Sequence, residues 1–474
     1  MINFFDDLSK YGDSIALITQ DSKFISYRML SVAADDLGKH FDGRCLIFIL
    51  ARNDLESVVG YLGALRSRVV PVLIASDMHP GLLRNLVEKY QPKYLWLPQD
   101  HNLSLDQCDF IYSYNDYSLL KIRSSLDYPL HDSLAQLLTT SGSTGSPKLV
   151  RQSYLNINSN ASSIAQCLKI VSTDRPITTL PISYTYGLSI ITSHLLNGCS
   201  IILNNYTLME KSFWVMMKTH AATTFGGVPY IFEMLKKLRF SRMELPSLKV
   251  ITQAGGGLPK EVVKEFADVC AQKGINFVVM YGQTEATARM SFLPTEYLNT
   301  KPSSIGIPIP GGQFWIEDDK KQIIANHNVE GELVYAGLNV SMGYALSFAD
   351  LSKGDEMNGV LRTGDIAKRD EDGFYYIVGR KARFLKLFGK RVSLDEVEHL
   401  LRGAGFDCAC SGSDDKLKIF LVGGGGSSEV IDFIVQHAGI HSSGFEVISV
   451  NELPRNGVGK ILYEKLNAQD SLKI

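Results

Sequence analysis

From Cys45 onward the chain alternates short apolar runs with segments whose apolar residues recur every three or four positions. CLIFIL (45–50) and VVPVLIA (69–75) are continuous apolar runs of strand length, the pattern of strands buried on both faces. Between them NDLESVVGYLGALRSR (53–68) reads as a helix with Asn53 at its cap. PITTLP, YGLSIITSHLLNG and CSIILN continue the alternation, and so do LKVITQAGGG, PKEVVKEFADVCAQKG and INFVVMYG. Strands that alternate with helices predict an α/β fold: a large N-terminal region of mainly parallel sheets covered by helices. No repeat of fixed period interrupts this pattern.

After Gly379 the texture changes. RKARFLKLFGKRV is strongly basic, and a helix (SLDEVEHLLRGAG), a strand (LKIFLVGGGG), a helix (SSEVIDFIVQHAG) and a strand (FEVISV) follow it. This predicts two domains, a large one over 1–379 and a small α+β one over 380–474. The four glycines 423–426 read as a flexible turn with no catalytic role.

Bulk chemistry narrows the function. Among 474 residues, 48 are basic and 50 acidic, and the net charge of −2 gives no support to binding nucleic acid or an anionic membrane. The acidic start MINFFDDLSKYGDS lacks the pattern of a secretory signal, and no apolar run approaches the length of a membrane span, so a cytoplasmic location is expected. The seven cysteines include no CxxC pair, and the CxC at Cys408 and Cys410 lacks a second ligand pair nearby, so buried thiols are expected in place of a zinc site.

Five segments concentrate polar chemistry. LLTTSGSTGSPKLV (137–150) combines small hydroxyl residues, glycines and Lys148. Its exposed N–H groups, hydroxyls and ammonium suit phosphate oxygens, although an ordinary surface loop reads the same way. It is no Walker loop, because Ser146 and Pro147 separate Gly145 from Lys148. VVMYGQTEAT (278–287) ends a buried strand in Tyr281, Thr284 and Glu285, at the strand end where open α/β sheets hold ligands. An aromatic ring there suits a base and a carboxylate suits Mg²⁺. LRTGDIAKRDEDGFYYIVGR (361–380) places Asp365 in a tight turn, where it is either a ribose acceptor or plain turn chemistry. The basic segment with Arg380 and Lys386, and LPRNGVGKILYEKL (453–466) with Lys460 after a Pro/Gly-rich loop, are each compatible with simple solvated charge.

Taken together, TSGSTGSPK, YGQTEAT, GIPIPGG, GELVYAGLNVSMGY, TGD, GR with LKLFGKRVSLDEVE, and PRNGVGK resemble the adenylate-forming enzymes in wording and order. That superfamily comprises acyl- and aryl-CoA synthetases, peptide-synthetase adenylation domains and luciferases. The resemblance runs from residue 137 to 464 and is weaker before 131. It implies an acid–thiol ligase that uses ATP and Mg²⁺ to convert a carboxylic acid to an acyl-AMP with release of pyrophosphate, then passes the acyl group to CoA or a phosphopantetheinyl carrier protein.

Carried over residue by residue, the resemblance implies that Thr140, Ser141, Gly142, Ser143, Thr144, Gly145 and Lys148 form a mobile phosphate loop. Tyr281 with Gly282 would meet adenine, Thr284 the α-phosphate, Glu285 the Mg²⁺, and Asp365 with Arg380 the ribose. Lys460 would be the catalytic lysine bridging carboxylate and α-phosphate. The small domain would be mobile, swinging between the two half-reactions to bring Lys386 and Gly389 to the thiol. Three positions depart from the pattern: Ala382 stands where Asp is frequent at the hinge, Leu149 follows Lys148 in place of glycine, and Tyr184 replaces a common histidine.

For the acid, no Asp in LPISYTYGLS (180–189) is available to pair with an α-ammonium, which argues against amino acids. The expected pocket wall is FGGVPYIFEML (225–235) with QAGGGLP (253–259), so that Tyr184, Gly227, Gly255, Gly256 and Gly257 line it. Those glycines either open a slot or serve the strand-to-helix turn. A fatty or other apolar acid is the expectation. The alternatives are a stand-alone adenylation enzyme loading an amino or hydroxy acid onto a carrier protein and, more remotely, a non-catalytic nucleotide-binding regulatory protein.

Overall fold

The computed structural model describes residues 3–466 except 102–107, 140–147, 388–389, 414–415, 424–426, 438–441, 457–458 and 464. Apolar runs of five or six residues become the middle of an eight-stranded sheet in which Leu134–Thr139, Val70–Ala75, Leu46–Ala51 and Tyr94–Pro98 lie side by side and parallel. Thr224–Gly227, Val250–Gln253 and Asn276–Tyr281 form the parallel part of a second, five-stranded sheet. The α/β expectation holds, with one difference from mainly parallel sheets. Both sheets are flanked by antiparallel strands, and a third sheet, Gln313–Glu317, Gly331–Ala336, Val360–Arg369 and Tyr375–Arg380, is antiparallel throughout. The reason is connection length: a hairpin such as Cys108–Tyr114 to Tyr117–Ile122 pairs only antiparallel, whereas parallel strands need a crossover.

Two helices are buried on nearly every side. Leu55–Arg66 lies within the core of the first sheet. Thr185–Leu196 joins the two sheets: Leu188, Ile191 and Leu195 enter the first core, and Tyr186 and Ile190 enter the second. The cap expected at Asn53 falls on Asp54, whose carboxylate accepts from the Ser57 N–H at 2.8 Å. Asn53 is instead a buried cross-link. It donates to the carbonyls of Leu180 at 3.2 Å and Asn204 at 3.1 Å, and accepts from the Ile182 N–H at 3.0 Å. The segment that carries Tyr184 is thereby tied to the first sheet.

The C-terminal region is a sheet of Cys408–Ser413, Lys416–Val422 and Phe445–Val450 covered by Leu394–Gly403 and Ser427–His437. Cys408 and Cys410 are buried in its core. Its basic start is no simple solvated face. Arg383 pairs with Asp395 and with the buried Glu398, and its guanidinium lies 3.8 Å from the Tyr463 ring centre. No helix among the described residues is long and apolar enough to cross a membrane.

Asn53→Ala leaves the Leu180 carbonyl and the Ile182 N–H buried without this partner, while the Asn204 carbonyl keeps the Thr178 hydroxyl, a cost of about 2–3 kcal/mol. Asp54→Ala removes the cap, about 1 kcal/mol, and a 3.1 Å hydrogen bond from the Tyr117 hydroxyl, which keeps the Leu50 carbonyl and Ser57 as partners. Thermal unfolding is therefore expected to show a lower Tm for Asn53→Ala than for Asp54→Ala; the reverse order would show that the cross-link is unimportant.

Candidate active site

The site forms where the central strand Asn276–Tyr281 ends. Four of its six residues are buried, so the run is apolar up to the point where Tyr281 emerges half-buried. Gly282 follows because a Cβ there would collide with the Ala288 carbonyl as the chain doubles back. The return passes through the 3₁₀ turn Thr284–Ala286 and Thr287, which holds the unusual φ of 64°. Thr287 is kept there from two sides: its hydroxyl donates to the Asn339 carbonyl at 2.7 Å, and its carbonyl accepts from Thr185. Beneath the turn a buried polar relay runs from the Tyr61 hydroxyl to Gln136 (2.6 Å), from Gln136 to Gln152 (2.6 Å) and from Gln152 to the Thr284 carbonyl (2.9 Å). Every member is hydrogen-bonded, so the turn is fixed before any ligand arrives.

Beside Tyr281 lies Asp365, which is only 3% exposed. It stands within the strand Val360–Arg369 and not in a tight turn, a correction to the sequence expectation. Gly364, with φ 72°, makes an irregularity in that strand, and the carboxylate is aimed at Tyr281 by it. The Tyr281 hydroxyl donates to Asp365 at 2.5 Å, Gln283 donates at 2.9 Å, and Arg380 pairs at 3.2 Å. Arg380 is the direct cross-strand neighbour of Asp365. Burial pushes the Asp365 carboxyl above its ordinary value, against the opposing pull of Arg380, Tyr281 and Gln283.

Glu285 accepts a 2.7 Å hydrogen bond from the Tyr344 hydroxyl, and the Lys148 ammonium sits 3.8 Å from the centre of the same ring. Tyr344 thus joins the lysine at the end of the phosphate-loop segment to the carboxylate expected to hold Mg²⁺. Among the described residues no cluster of three His, Cys, Asp or Glu side chains could hold a metal. A single carboxylate suits Mg²⁺, which takes most of its ligands from phosphate and water.

Lys460 reaches this cleft from the C-terminal region. Its backbone N–H donates to Asn456 Oδ1 at 2.9 Å, Gly459 precedes it with φ 78°, and its ammonium lies 6.0 Å from the Tyr184 ring centre. Burial, followed by repulsion from Arg380, brings its pKa down to about 8, while Glu285 and Asp365 act to hold it up.

On the far side of Lys460 is an aromatic wall. Tyr184 and Tyr186 meet edge to face at 6.4 Å, and the Tyr186 hydroxyl bonds Thr252 Oγ1 at 2.8 Å. A Cβ on Gly255 would stand 2.7 Å from the Tyr184 hydroxyl, and Gly255 also holds φ 83°, so both readings of this glycine apply. A Cβ on Gly227 would press on Ile231 at 2.7 Å. Gly256 and Gly257 lie exposed, and a Cβ on Gly257 would meet nothing within 4 Å, so the structure does not pack these two into the wall.

The structure therefore gathers Tyr281, Gly282, Thr284, Glu285, Asp365, Arg380, Lys148, Lys460 and Tyr184 around one cleft. Lys386 is on the hairpin strand Phe384–Leu387, in register with Arg391. Thr140, Ser141, Gly142, Ser143, Thr144, Gly145 and Gly389 lie outside the described residues. Sequence reasoning passed over Gln283 and Tyr344, although both fall inside the quoted motifs, and over Gln136 and Gln152, which carry no motif.

A family model of AMP-binding enzymes matches residues 4–345, well over half of the chain. The chain belongs to the AMP-binding enzyme family. It is an AMP-forming acid–thiol ligase, an enzyme that draws on ATP and Mg²⁺ to activate a carboxylic acid as its adenylate. Among curated relatives, the 2-succinylbenzoate–CoA ligase of Bacillus cytotoxicus is 29% identical over 352 residues, 70% of each chain. The fold matches the O-succinylbenzoate coenzyme A synthetase of Bacillus subtilis in complex with AMP, with a TM-score of 0.81 and 23% identity over 98% of both chains. It also matches the anthranilate CoA ligase AuaEII in complex with anthranoyl-AMP, with a TM-score of 0.79 and 20% identity over 99% of this chain and 97% of that one.

The depressed pKa of Lys460 sets a pH dependence. The ammonium is the form that offsets anionic charge, and in the free enzyme it is lost as pH rises through about 8. The kcat/KM for ATP in the adenylation step is therefore expected to fall on the alkaline side with an apparent pKa near that value. In Lys460→Arg, whose guanidinium stays protonated, the fall should disappear. A wild-type profile flat to pH 10 would show that Lys460 does not act as a cation.

Proposed function

We propose that the protein is an aryl-acid–CoA ligase that forms an acyl-AMP and transfers the acyl group to the CoA thiol. The observation that carries this reading is the position of Lys460, with the nucleotide-side carboxylates Glu285 and Asp365 on one hand and the Tyr184 ring on the other. A carboxylate stacked against Tyr184 would meet the α-phosphate at this ammonium, which offsets the repulsion between the two anions. Thr284 lies on the same turn to orient the α-phosphate, and Asp365 with Arg380 receives the ribose. Bound Mg²⁺ at Glu285 supplies charge for the leaving pyrophosphate. Residues 380–474 act as the mobile unit, exchanging the Lys460 loop for the Lys386–Gly389 face when the thiol enters.

An aryl acid narrows the fatty or other apolar acid expected from the sequence. The support is twofold: the curated relative acts on 2-succinylbenzoate, and the wall beside Lys460 is two tyrosines, a surface suited to a ring.

The test is acid-dependent exchange of labelled pyrophosphate into ATP across aryl, fatty, amino and hydroxy acids. Exchange strongest with aryl acids and abolished in Lys460→Ala is expected, followed by aryl-CoA formation on adding CoA. Exchange confined to fatty or amino acids would overturn the assignment of the acid, and exchange without CoA acylation would favour a carrier protein as acceptor.

A further inference from the structure

The strand Tyr375–Arg380 leaves the antiparallel sheet through the short turn Lys381–Arg383, and the charged side chains along this stretch divide between two bodies. Arg380 pairs with Asp365 at 3.2 Å and Lys381 with Glu332 at 2.9 Å, and both carboxylates belong to that sheet. Arg383 faces the other way. Its Nε donates to Asp395 and its Nη2 to Glu398, each at 2.5 Å, and both acids lie on the helix Leu394–Gly403. Glu398 is 3% exposed and also accepts from the Cys410 N–H at 2.7 Å, the Tyr463 hydroxyl at 2.9 Å and Arg402 at 3.0 Å. Tyr463 stands three positions after Lys460, so this cluster fastens the lysine segment to the start of the small region. Anchors of opposite allegiance at Lys381 and Arg383 leave the backbone at Ala382 as the place where one body turns on the other.

Asp395 is the exception to this division. Its Oδ1 holds Arg383, while its Oδ2 accepts from the Arg380 backbone N–H at 3.1 Å, a hydrogen bond that spans Ala382 and ties the helix to the last residue of the sheet. Alanine has no polar side-chain atom to offer at the pivot itself. The direction of the Arg380 N–H is fixed by a planar peptide at the end of a paired strand, whereas Oδ2 travels with the helix. Hydrogen bonds weaken steeply as distance and alignment are lost, so a turn about Ala382 breaks this one. The pairs that Arg383 makes lie within the moving body and survive the turn.

We propose that Asp395 is a positioning residue: its carboxylate latches Arg380 across Ala382, holds the Lys460 loop in the arrangement for adenylation, and lets go when the thiol-transfer face takes its place. This rests on the reading of residues 380–474 as a mobile unit and goes further in naming the contact that sets the balance between its two positions. The latch acts on a ratio. Each half-reaction proceeds from its own arrangement, so the ratio of the adenylation rate to the transfer rate follows the ratio of the two populations. A contact made in only one arrangement shifts that ratio by its full differential strength.

The experiment times the two half-reactions separately on the full chain, with the acid that gives the strongest pyrophosphate exchange. Single-turnover pyrophosphate release reports adenylation, and acyl-CoA formation from the presynthesised adenylate and CoA reports transfer. In Asp395→Ala the adenylation-to-transfer ratio should fall about tenfold, the scale of one hydrogen bond to a charged acceptor. Asp395→Asn, which keeps an acceptor oxygen without the charge, should fall in between. Lys381→Met removes an ion pair on the sheet side of the pivot only, and should leave the ratio unchanged. Equal loss of both rates in Asp395→Ala, with a lower Tm and an unchanged ratio, would assign Asp395 a structural role and overturn the proposal. A ratio that falls as far in Lys381→Met would overturn it too, since any loosening of the turn would then suffice. Lys460→Ala tests the underlying reading by itself: it should slow adenylation and spare transfer. Equal loss of both half-reactions there would overturn the mobile unit, whereas selective loss there with an unchanged ratio in Asp395→Ala would overturn the latch alone.

Discussion

Two anions must be brought into contact in this enzyme, a carboxylate and a triphosphate, and their repulsion is the constraint that organises the site. Positive charge has to be available at the meeting point without collapsing onto the neighbouring carboxylates. On the reading proposed above, spacing meets this requirement. Arg380 is paired with Asp365, Lys148 rests on the Tyr344 ring, and Lys460 stands over Tyr184, close enough to feel Glu285 and Asp365. The backbone that presents these groups is set by the buried relay Tyr61–Gln136–Gln152 and by the crossed hydrogen bonds at Thr287. Little reorganisation of the scaffold is then needed at the moment of reaction, which is the condition under which fixed charges stabilise a transition state best.

Much of this was legible in the sequence because it is local. Strand runs such as CLIFIL and INFVVMYG, and the box YGQTEAT at a strand end, carry their meaning within ten residues. What escaped is what depends on partners far along the chain. Asn53 looked like a cap, and Asp54 took that role because the Asn53 side chain was drawn to Leu180, Ile182 and Asn204. Asp365 looked like a turn residue, and pairing with Gly331–Ala336 pulled its segment into a strand, with Gly364 absorbing the misfit. Tyr344 owes its place to two neighbours, Lys148 and Glu285, that only the folded chain brings to it.

The glycines of the acyl wall illustrate a different difficulty. A glycine serves both to allow a left-handed backbone and to leave room, and the letter in the sequence is the same. At Gly255 both are required at once, whereas Gly257 meets neither demand. The glycine positions were readable in outline, but the aromatic character of the neighbouring surface came from Tyr184 and Tyr186, whose edge-to-face contact no spacing rule announces.

The cysteines bear on the chemistry from an unexpected side. An acyl-adenylate is a strong electrophile, and any thiolate within the protein competes with the intended acceptor for it. Burial pushes the thiols of Cys45, Cys167, Cys199, Cys270 and Cys408 up to about 12, and those of Cys108 and Cys410 also upward. The reactive form is the thiolate, and burial disfavours it at all seven positions. The same burial therefore works against self-acylation and favours the incoming thiol over the protein's own.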